Sequence, residues 1–414
     1  MQVPLFNFLS INKVFSNQNF SIYTIGNATS LIGMWVQRLS IGWLIWELTK
    51  SAAWLGAIAM AEFIPILILT PLGGIIADRY NRLSIARIAQ VITVITSLIL
   101  WALTYTNLVT PIVLFCIMLI AGSTNALNQA SRISLVVNMV PKELMPSAIA
   151  ISSVIFNLAR IIGPAIGGIL ISITNVSWAF LFSSIAFTVL FFAFKMIRMP
   201  NSAPKLNKNQ LRIKDLFEGT DFIIKNDAIF IIVLITGINS ILARPIIELL
   251  PGFADTVFNT GPEGLAVLTS SMGIGAITSS IWLAQRSTLK GLSNIVFFGV
   301  LINSLAIILF SISSNLITGA LLLGISGFTQ ACTGTGTQTL IQSFVDDRLR
   351  GRVMSVWLVI GRGGPALGAL VIGIIAEYTG FSIPIMTGAI ITAFFAFTSL
   401  SNKNKVSAIL EKDN

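Results

Sequence analysis

The sequence predicts an all-α membrane protein with about twelve transmembrane helices in two six-helix bundles. Of its 414 residues, 55% are hydrophobic and only 10% are charged, which is far from the balance found in soluble domains. A helix crosses a bilayer with about 20 apolar residues. This length therefore accommodates about twelve crossings with short loops and leaves no room for a sizeable soluble domain.

The order of the predicted spans follows from the uninterrupted apolar stretches, which fall into two groups of six. The first group lies at 21–47, 52–76, 83–104, 110–134, 146–172 and 175–197. The second group lies at 228–250, 264–285, 292–312, 315–341, 352–377 and 382–401. We therefore expect an N-terminal cytoplasmic segment 1–20, a first bundle 21–197, a cytoplasmic linker 198–227, a second bundle 228–401 and a cytoplasmic tail 402–414.

The basic residues predict the orientation, because lysine and arginine accumulate on the cytoplasmic side of a membrane protein. Of the 26 lysines and arginines, we assign Arg38, Arg160, Arg244 and Arg362 to the interior of spans and only Lys50 to an external loop, which leaves 21 at the other face. Both termini are therefore expected in the cytoplasm. The membrane topology therefore accounts for the net charge of +10. For this reason no nucleic-acid partner is expected.

The two halves of the chain repeat one short pattern. Residues 163–168 read Gly-Pro-Ala-Ile-Gly-Gly, and residues 364–369 read Gly-Pro-Ala-Leu-Gly-Ala. Small residues four apart allow helices to approach closely, and proline removes one backbone hydrogen bond and permits a bend. Gly163, Pro164, Gly167 and Gly168 are therefore candidates either for tight packing or for helix bending during transport.

A short loop after the second span carries one acid among several bases. Gly74, Asp78, Arg79 and Arg82 have the spacing of the loop signature of the major facilitator superfamily, which the chain resembles here. Asn81 stands where that family usually has glycine, and we expect it to tolerate a positive φ. The resemblance implies a gating loop, in which Asp78 contacts the start of the eleventh span near Arg350 and Arg352. The alternative is that these charges only follow the positive-inside rule and have no gating role.

The segment 159–168 resembles the motif of the antiporter branches of the same superfamily, with Ala159 where glycine is usual. Together with the patterns at 35–38, 47–51 and 71–74, it makes the chain most similar to the group that includes enterobactin and macrolide efflux permeases. The resemblance implies proton-coupled export by alternating access. It also implies a bacterial inner-membrane location.

Charged residues within spans are candidate functional groups, because each costs roughly 2.5 to 3.5 kcal/mol at a helix centre. Arg38 and Glu62 both lie about 15 Å below the external surface. They are expected to form either a structural ion pair or a proton or substrate site, unless their depth is misjudged. Arg160 and Arg362 are further cavity candidates. Arg244 and Glu248, four residues apart, are expected to share one face of the seventh span as a structural or gating pair.

Other functional classes find little support in the sequence. The chain has no histidine and only two cysteines, which argues against a metal centre, and it has no phosphate-binding glycine loop for ATP. We expect no cofactor and no catalytic residues, a monomer in the bilayer, a small-molecule substrate and proton coupling. The retained alternatives are a lysophospholipid or lipid transporter and, from another class, a membrane receptor or enzyme without transport activity.

Overall fold

The computed structural model describes residues 13–197, 213–286 and 288–411, and within them every regular element is helical. Eleven helices in these ranges are long and apolar enough to cross a bilayer. The predicted first span forms a further helix of 32 residues, Gln18–Thr49, which carries the polar side chains Asn27, Gln37 and Arg38. The predicted all-α fold class with twelve spans is confirmed.

The first half of the chain forms six long helices. Their bounds are α1 Gln18–Thr49, α2 Ala52–Arg79, α3 Arg82–Tyr105, α4 Pro111–Met139, α5 Met145–Ile173 and α6 Val176–Met196. Side-chain caps fix several of these starts, since Thr110 accepts a hydrogen bond from the Val113 amide and Asn175 accepts one from the Ser177 amide. Such caps satisfy amide groups that have no partner in the first helical turn.

The second half contains more elements than the six predicted spans. The helices are α7 Ile213–Lys225, α8 Asp227–Leu242, α9 Ile246–Gly252, α10 Pro262–Ala284, α11 Leu292–Ile312, α12 Leu316–Phe344, α13 Asp347–Thr379, α14 Ser382–Ser399 and α15 Lys403–Leu410. A π-helical turn at Phe253–Val257 follows α9. Helix α7 occupies the end of the predicted linker. The other linker residues, 198–212, lie outside the described residues.

The predicted seventh span at 228–250 lies within one candidate membrane span, Asp227–Val257, but its helix is interrupted. The helix ends at Leu242 and restarts at Ile246. Pro245 lies at the break, where it supplies no amide hydrogen and its ring cannot follow a regular helical turn. The Ala243 and Arg244 amides both donate to the Asn239 carbonyl, at 3.1 and 3.0 Å, which closes the end of α8.

The chain divides into two compact units. The first contains the described residues up to Leu48 together with those from Ala61 to Ile197. The second contains Thr49–Met60 and the described residues from Ile213 onward. The short segment Thr49–Met60 is held in the second unit by polar contacts, since Lys50 Nζ lies 2.7 Å from Asp255 Oδ2 and the Ala53 amide donates to Glu377 Oε1 at 2.9 Å.

The C-terminal helix α15 is fastened to the beginning of α11 in the second unit. Glu411, directly after α15, accepts hydrogen bonds of 2.7 Å from the amides of Gly291 and Ser293, and Ser407 donates to it at the same distance. Burial by itself raises the pKa of Glu411, but these hydrogen bonds outweigh it and leave the pKa below its ordinary value. Helix α11 has no acidic residue in its own first turn, so Glu411 supplies the negative charge that a helix N-terminus favours.

We expect the Glu411→Gln variant to weaken this attachment by about 0.5 to 1 kcal/mol at pH 7, because capping groups contribute in this range and Glu411 is partly exposed. A lowered pKa in the folded protein contributes stability above the unfolded pKa and loses it as the pH falls through the folded pKa. Amide exchange in 289–295 and 403–411 should therefore be faster in the variant at pH 7 and equal to wild type below the carboxyl pKa. Glu143→Gln, an exposed carboxylate in the first unit, is the control. Equal exchange at pH 7 would contradict the attachment.

Candidate functional site

Arg38 of α1 and Glu62 of α2 lie together in the first unit. Arg38 Nη1 is 3.6 Å from Glu62 Oε2, and their side chains are 43% and 31% exposed. Gly122 of α4 permits this arrangement, because a Cβ atom there would overlap the Glu62 carbonyl oxygen. The pair is therefore a polar, accessible group on closely packed helices. A role in coupling stays a prediction.

Arg160 of α5 lies on the same side of α1 as Arg38. Its guanidinium carbon is 5.8 Å from the ring centroid of Trp35, a distance at which a cation and an aromatic ring attract each other. Trp35 and Arg38 are three residues apart and so share a face of α1. Within the described residues, the Trp35 Nε1 has no hydrogen-bond partner. Two arginines, one carboxylate and an indole thus line this side of α1.

The helix-bending motif of α5 packs against the same helix. A Cβ on Gly163 would overlap the Trp35 Cβ, and one on Gly167 would lie 3.5 Å from Val36. Gly168 and Pro164 are buried. The corresponding glycines of α13 do the same in the second unit, where a Cβ on Gly364 or Gly368 would overlap Ser240 or the Ile241 carbonyl of α8. In both units the motif provides close helix packing, while its role in motion stays a prediction.

In the gating loop, the backbone conformation and the role of Asn81 differ from what we expected. Asn81 has a φ of −62° and caps α3, its side chain accepting hydrogen bonds from the Leu83 and Ser84 amides. The expected tolerance of a positive φ is therefore not used at Asn81, because the residue acts as a helix cap. The close contact with a neighbouring helix is at Gly73, where an added Cβ would overlap the Ala126 carbonyl. Gly74 has open space around it.

The charged members of this loop remain candidates. Arg79 ends α2 and Arg82 begins α3. The side chain of Asp78 lies outside what the structure describes, so its predicted gating contact stays a prediction. In the second unit Arg352 forms an ion pair with Glu218 of α7. Arg350 donates from Nε to the Val345 carbonyl at 3.2 Å.

A buried network of amides and hydroxyls lies in the second unit, and sequence reasoning did not predict it. Asn303 is fully buried and donates to Asn239 Oδ1 at 2.8 Å. Asn303 Oδ1 accepts from Ser326 at 2.7 Å, and Ser326 accepts from Gln330 Nε2 at 3.0 Å. The four residues come from α8, α11 and α12. Their sequence separations of up to 91 positions, counted from 239 to 330, give no periodic signal.

Beside this network is a small polar cavity of about 30 Å³. Asn239, Gln330 and Arg244 line it, and Arg244 Nη1 donates to the Gly361 carbonyl at 3.1 Å. The buried Nε of Arg244 has no hydrogen-bond partner in the described part of the chain. Arg362 follows Gly361 on α13 and is exposed. Like the first unit, the second unit therefore contains an arginine among polar residues. It is Arg244, which lies at the break between α8 and α9.

The sequence led us to expect Arg244 and Glu248 on one face of the seventh span. In the structure they do not lie on one continuous helix. Arg244 lies in the break before α9, and Glu248 is in the first turn of α9. The break at Pro245 interrupts the helix between them. The charge of Glu248 still acts on Arg244, and a structural or gating role for the pair stays a prediction.

A second group that the sequence analysis missed is in the first unit. Arg132 Nη2 of α4 donates to Asn27 Oδ1 of α1 at 2.7 Å, and Ser97 of α3 donates to Gln37 Oε1 at 3.0 Å. The position of Arg132 inside the predicted span 110–134 was the available signal. Among the described residues, no cluster of three or more histidines, cysteines or carboxylates could hold a metal ion.

Residues 11–413 match the family model described as transmembrane secretion effector. This match spans nearly the whole chain. The chain belongs to this family of the major facilitator superfamily. Members of the family are transporters, so this chain is a secondary transporter and not an enzyme.

Two curated proteins are similar to this chain along most of its length. The staphyloferrin A transporter of Staphylococcus aureus (strain NCTC 8325 / PS 47) is 24% identical over 409 residues, which cover 96% of this chain and 98% of that protein. The enterobactin exporter EntS of Escherichia coli O81 (strain ED1a) is 24% identical over 368 residues, covering 88% and 84%.

Solved structures show the same fold. A bacterial homologue of the human lysosomal transporter Spinster, inward-facing and occupied, matches with a TM-score of 0.70 and 15% identity over 95% of this chain and 97% of that chain. A mutant of the peptide transporter POT matches with a TM-score of 0.75 and 11% identity over 95% and 96%. The resemblance to the major facilitator superfamily that the sequence predicted is confirmed.

Proposed function

We propose that this transporter exports an amphipathic small molecule of the siderophore type in exchange for protons, by alternating access in the bacterial inner membrane. The observation that carries this proposal is the near full-length similarity to two proteins named as a staphyloferrin A transporter and an enterobactin exporter. Drug-like molecules of similar amphipathic character belong to the same proposed substrate class.

The charges within the spans support an anionic cargo. Of the six charged residues that we assign to the interior of spans, four are arginines and only two are carboxylates: Arg38, Arg160, Arg244 and Arg362 against Glu62 and Glu248. A charge in the low-dielectric interior is costly unless a partner or ligand compensates it. An acidic molecule would add negative charge beside these arginines as it is transported.

Glu62 is the proposed proton carrier. A reversible proton site in a chain without histidine must use a carboxylate, and Glu62 is in a deep region of α2 with Arg38 beside it. Arg38 is close enough to be the partner of this carboxylate, and a proton would take its place when the two side chains separate. An exchange of partners between two states is sufficient to couple proton movement to cargo movement.

Transport into inverted membrane vesicles tests the proposal. With an acidic lumen, vesicles containing the protein should accumulate iron-free enterobactin or staphyloferrin A, and a protonophore should abolish the accumulation. Vesicles without the protein are the control. Accumulation that depends on a sodium gradient would contradict proton coupling. Accumulation of lysophospholipid but of neither siderophore would contradict the proposed cargo in favour of the lipid alternative.

The proposed orientation has a separate test. In a variant without Cys116 and Cys332, the only two cysteines, single cysteines replace Ser202 or Asn107. The charge asymmetry of 21 to 1 between the faces predicts that a membrane-impermeant thiol reagent labels position 202 only from the cytoplasm and position 107 only from outside. Opposite labelling would contradict the orientation and the assigned depth of Glu62.

A further inference from the structure

The first unit carries a large apolar cleft that the transport proposal does not use. It has a volume of about 800 Å³ and lies among the end of α2, the beginning of α3 and the middle of α4. Its lining is mainly aliphatic and includes Ile76, Ile85, Ile88, Ile92, Ile120 and Leu127. A cleft of this volume can hold a sizeable ligand.

The position of the cleft matches one leaflet of a bilayer. Along α3 it extends from Ser84 to Ile92, which is about 12 Å at 1.5 Å per residue, close to half of a hydrocarbon core of about 30 Å. Ile88 is 63% exposed and Ile120 is 47% exposed. The cleft is thus open at the side of the helices, where lipid surrounds a membrane protein.

One buried polar atom in the cleft lacks a partner. Asn128 is only 7% exposed, and its Oδ1 has no hydrogen-bond partner within the described residues. The nearby hydroxyls of Ser123 and Thr124 are already used, because they donate to the Leu119 and Ile120 carbonyls of their own helix. A buried acceptor without a donor is costly, so Asn128 favours an occupant that brings a hydrogen-bond donor.

Positive charge stands at one end of the same cleft. Tyr80 and Asn81 line it, and Arg79 and Arg82 immediately flank these two residues in the chain. Arg79 is exposed and Arg82 is partly exposed. The charge asymmetry places this end on the cytoplasmic side, where the surface of a membrane carries anionic headgroups.

We propose that this cleft binds one anionic phospholipid with a hydroxyl-bearing headgroup, of the phosphatidylglycerol type, from the cytoplasmic leaflet. An acyl chain fills the aliphatic cleft, the phosphate is attracted by Arg79 and Arg82, and a lipid hydroxyl donates to Asn128. The bound lipid belongs to the resting protein and is not the exported cargo, so the proposal holds whatever that cargo is.

Native mass spectrometry of the purified full chain tests the site by titration with dioleoyl phosphatidylglycerol or dioleoyl phosphatidylcholine. We expect one phosphatidylglycerol to bind in preference to phosphatidylcholine. The Arg79→Gln, Arg82→Gln double variant should weaken binding by about fivefold for each arginine. Asn128→Leu should weaken it by a similar factor, since a single hydrogen bond contributes in this range.

Variants that fill the cleft separate this site from other lipid contacts. Thr124→Trp and Ser84→Trp each place an indole in the cleft and should abolish the preferred binding. Ile112→Trp, at a 68% exposed position at the other end of α4, is the matched control and should retain it. Only variants that elute as a single folded species are compared. Phosphatidylglycerol binding that is unchanged in the cleft variants would overturn the proposal, and so would a loss of siderophore binding with lipid binding intact.

Discussion

The Glu62→Gln variant is expected to lose uphill export completely while downhill exchange of cargo survives. Glutamine keeps the size and most of the hydrogen-bonding capacity of the side chain but cannot carry a proton. Without a proton to exchange, the gradient no longer drives the cargo, and the accumulation ratio in inverted vesicles should fall to one. Export against a gradient and exchange at equal concentrations are therefore measured separately, on the same membranes.

Variants of Arg38 test whether its charge acts through Glu62. The two side chains approach to 3.6 Å. Arg38→Lys retains the charge but loses the planar fork of donors, so it should be milder than Arg38→Ala. In a double variant, Glu62→Gln should mask the effect of Arg38→Lys on coupling, because the carboxylate on which the arginine acts is gone.

The control for both positions is Glu47→Gln, which removes an exposed carboxylate from the end of α1 and should leave accumulation unchanged. If the Glu62→Gln protein still concentrates cargo against its gradient, Glu62 is only a structural partner of Arg38. Glu248, in the first turn of α9, would then be the carboxylate to examine, or another ion would carry the coupling.

The spans could be predicted from the sequence because each depends on a local property, its run of apolar residues. The same local reasoning failed where a side chain had two possible roles. Asn81 was expected to accept a positive φ as a replacement for glycine, but its amide oxygen caps α3 instead. Pro245 lies within the predicted seventh span, yet the break at this proline was not predicted.

The polar network of the second unit could not be predicted, because it depends on contacts between distant parts of the chain. Asn239, Asn303 and Ser326 each lie in an apolar span where a lone polar residue most often packs against a neighbouring helix. Their meeting is determined by how α8, α11 and α12 cross. The pairing of Arg38 with Glu62 was easier to anticipate, since opposite charges at equal depth in neighbouring spans have few other ways to be compensated.

The Gly368→Ala variant is expected to destabilise the second unit, whereas Gly361→Ala on the same helix is not. A Cβ at Gly368 would overlap the Ile241 carbonyl and the Pro245 ring, whereas one at Gly361 would meet nothing within 4 Å. Backbone atoms of α8 cannot turn aside as a flexible side chain can, so α13 must move. Overpacking of this kind costs about 1 to 3 kcal/mol, while alanine in an open helical position gains up to about 1 kcal/mol over glycine.

Thermal unfolding of the two purified variants measures the difference. For a unit of this size, each kcal/mol changes the midpoint by about 2 to 4 °C, so Gly368→Ala should unfold clearly below wild type and Gly361→Ala at or above it. Gly163→Ala should behave like Gly368→Ala in the first unit, because a Cβ there would overlap Trp35. Gly74→Ala, with open space around it, is its control. If all four variants unfold at the wild-type temperature, the repeated glycine motif does not act through close packing, and its role must be sought in the bending of α5 and α13.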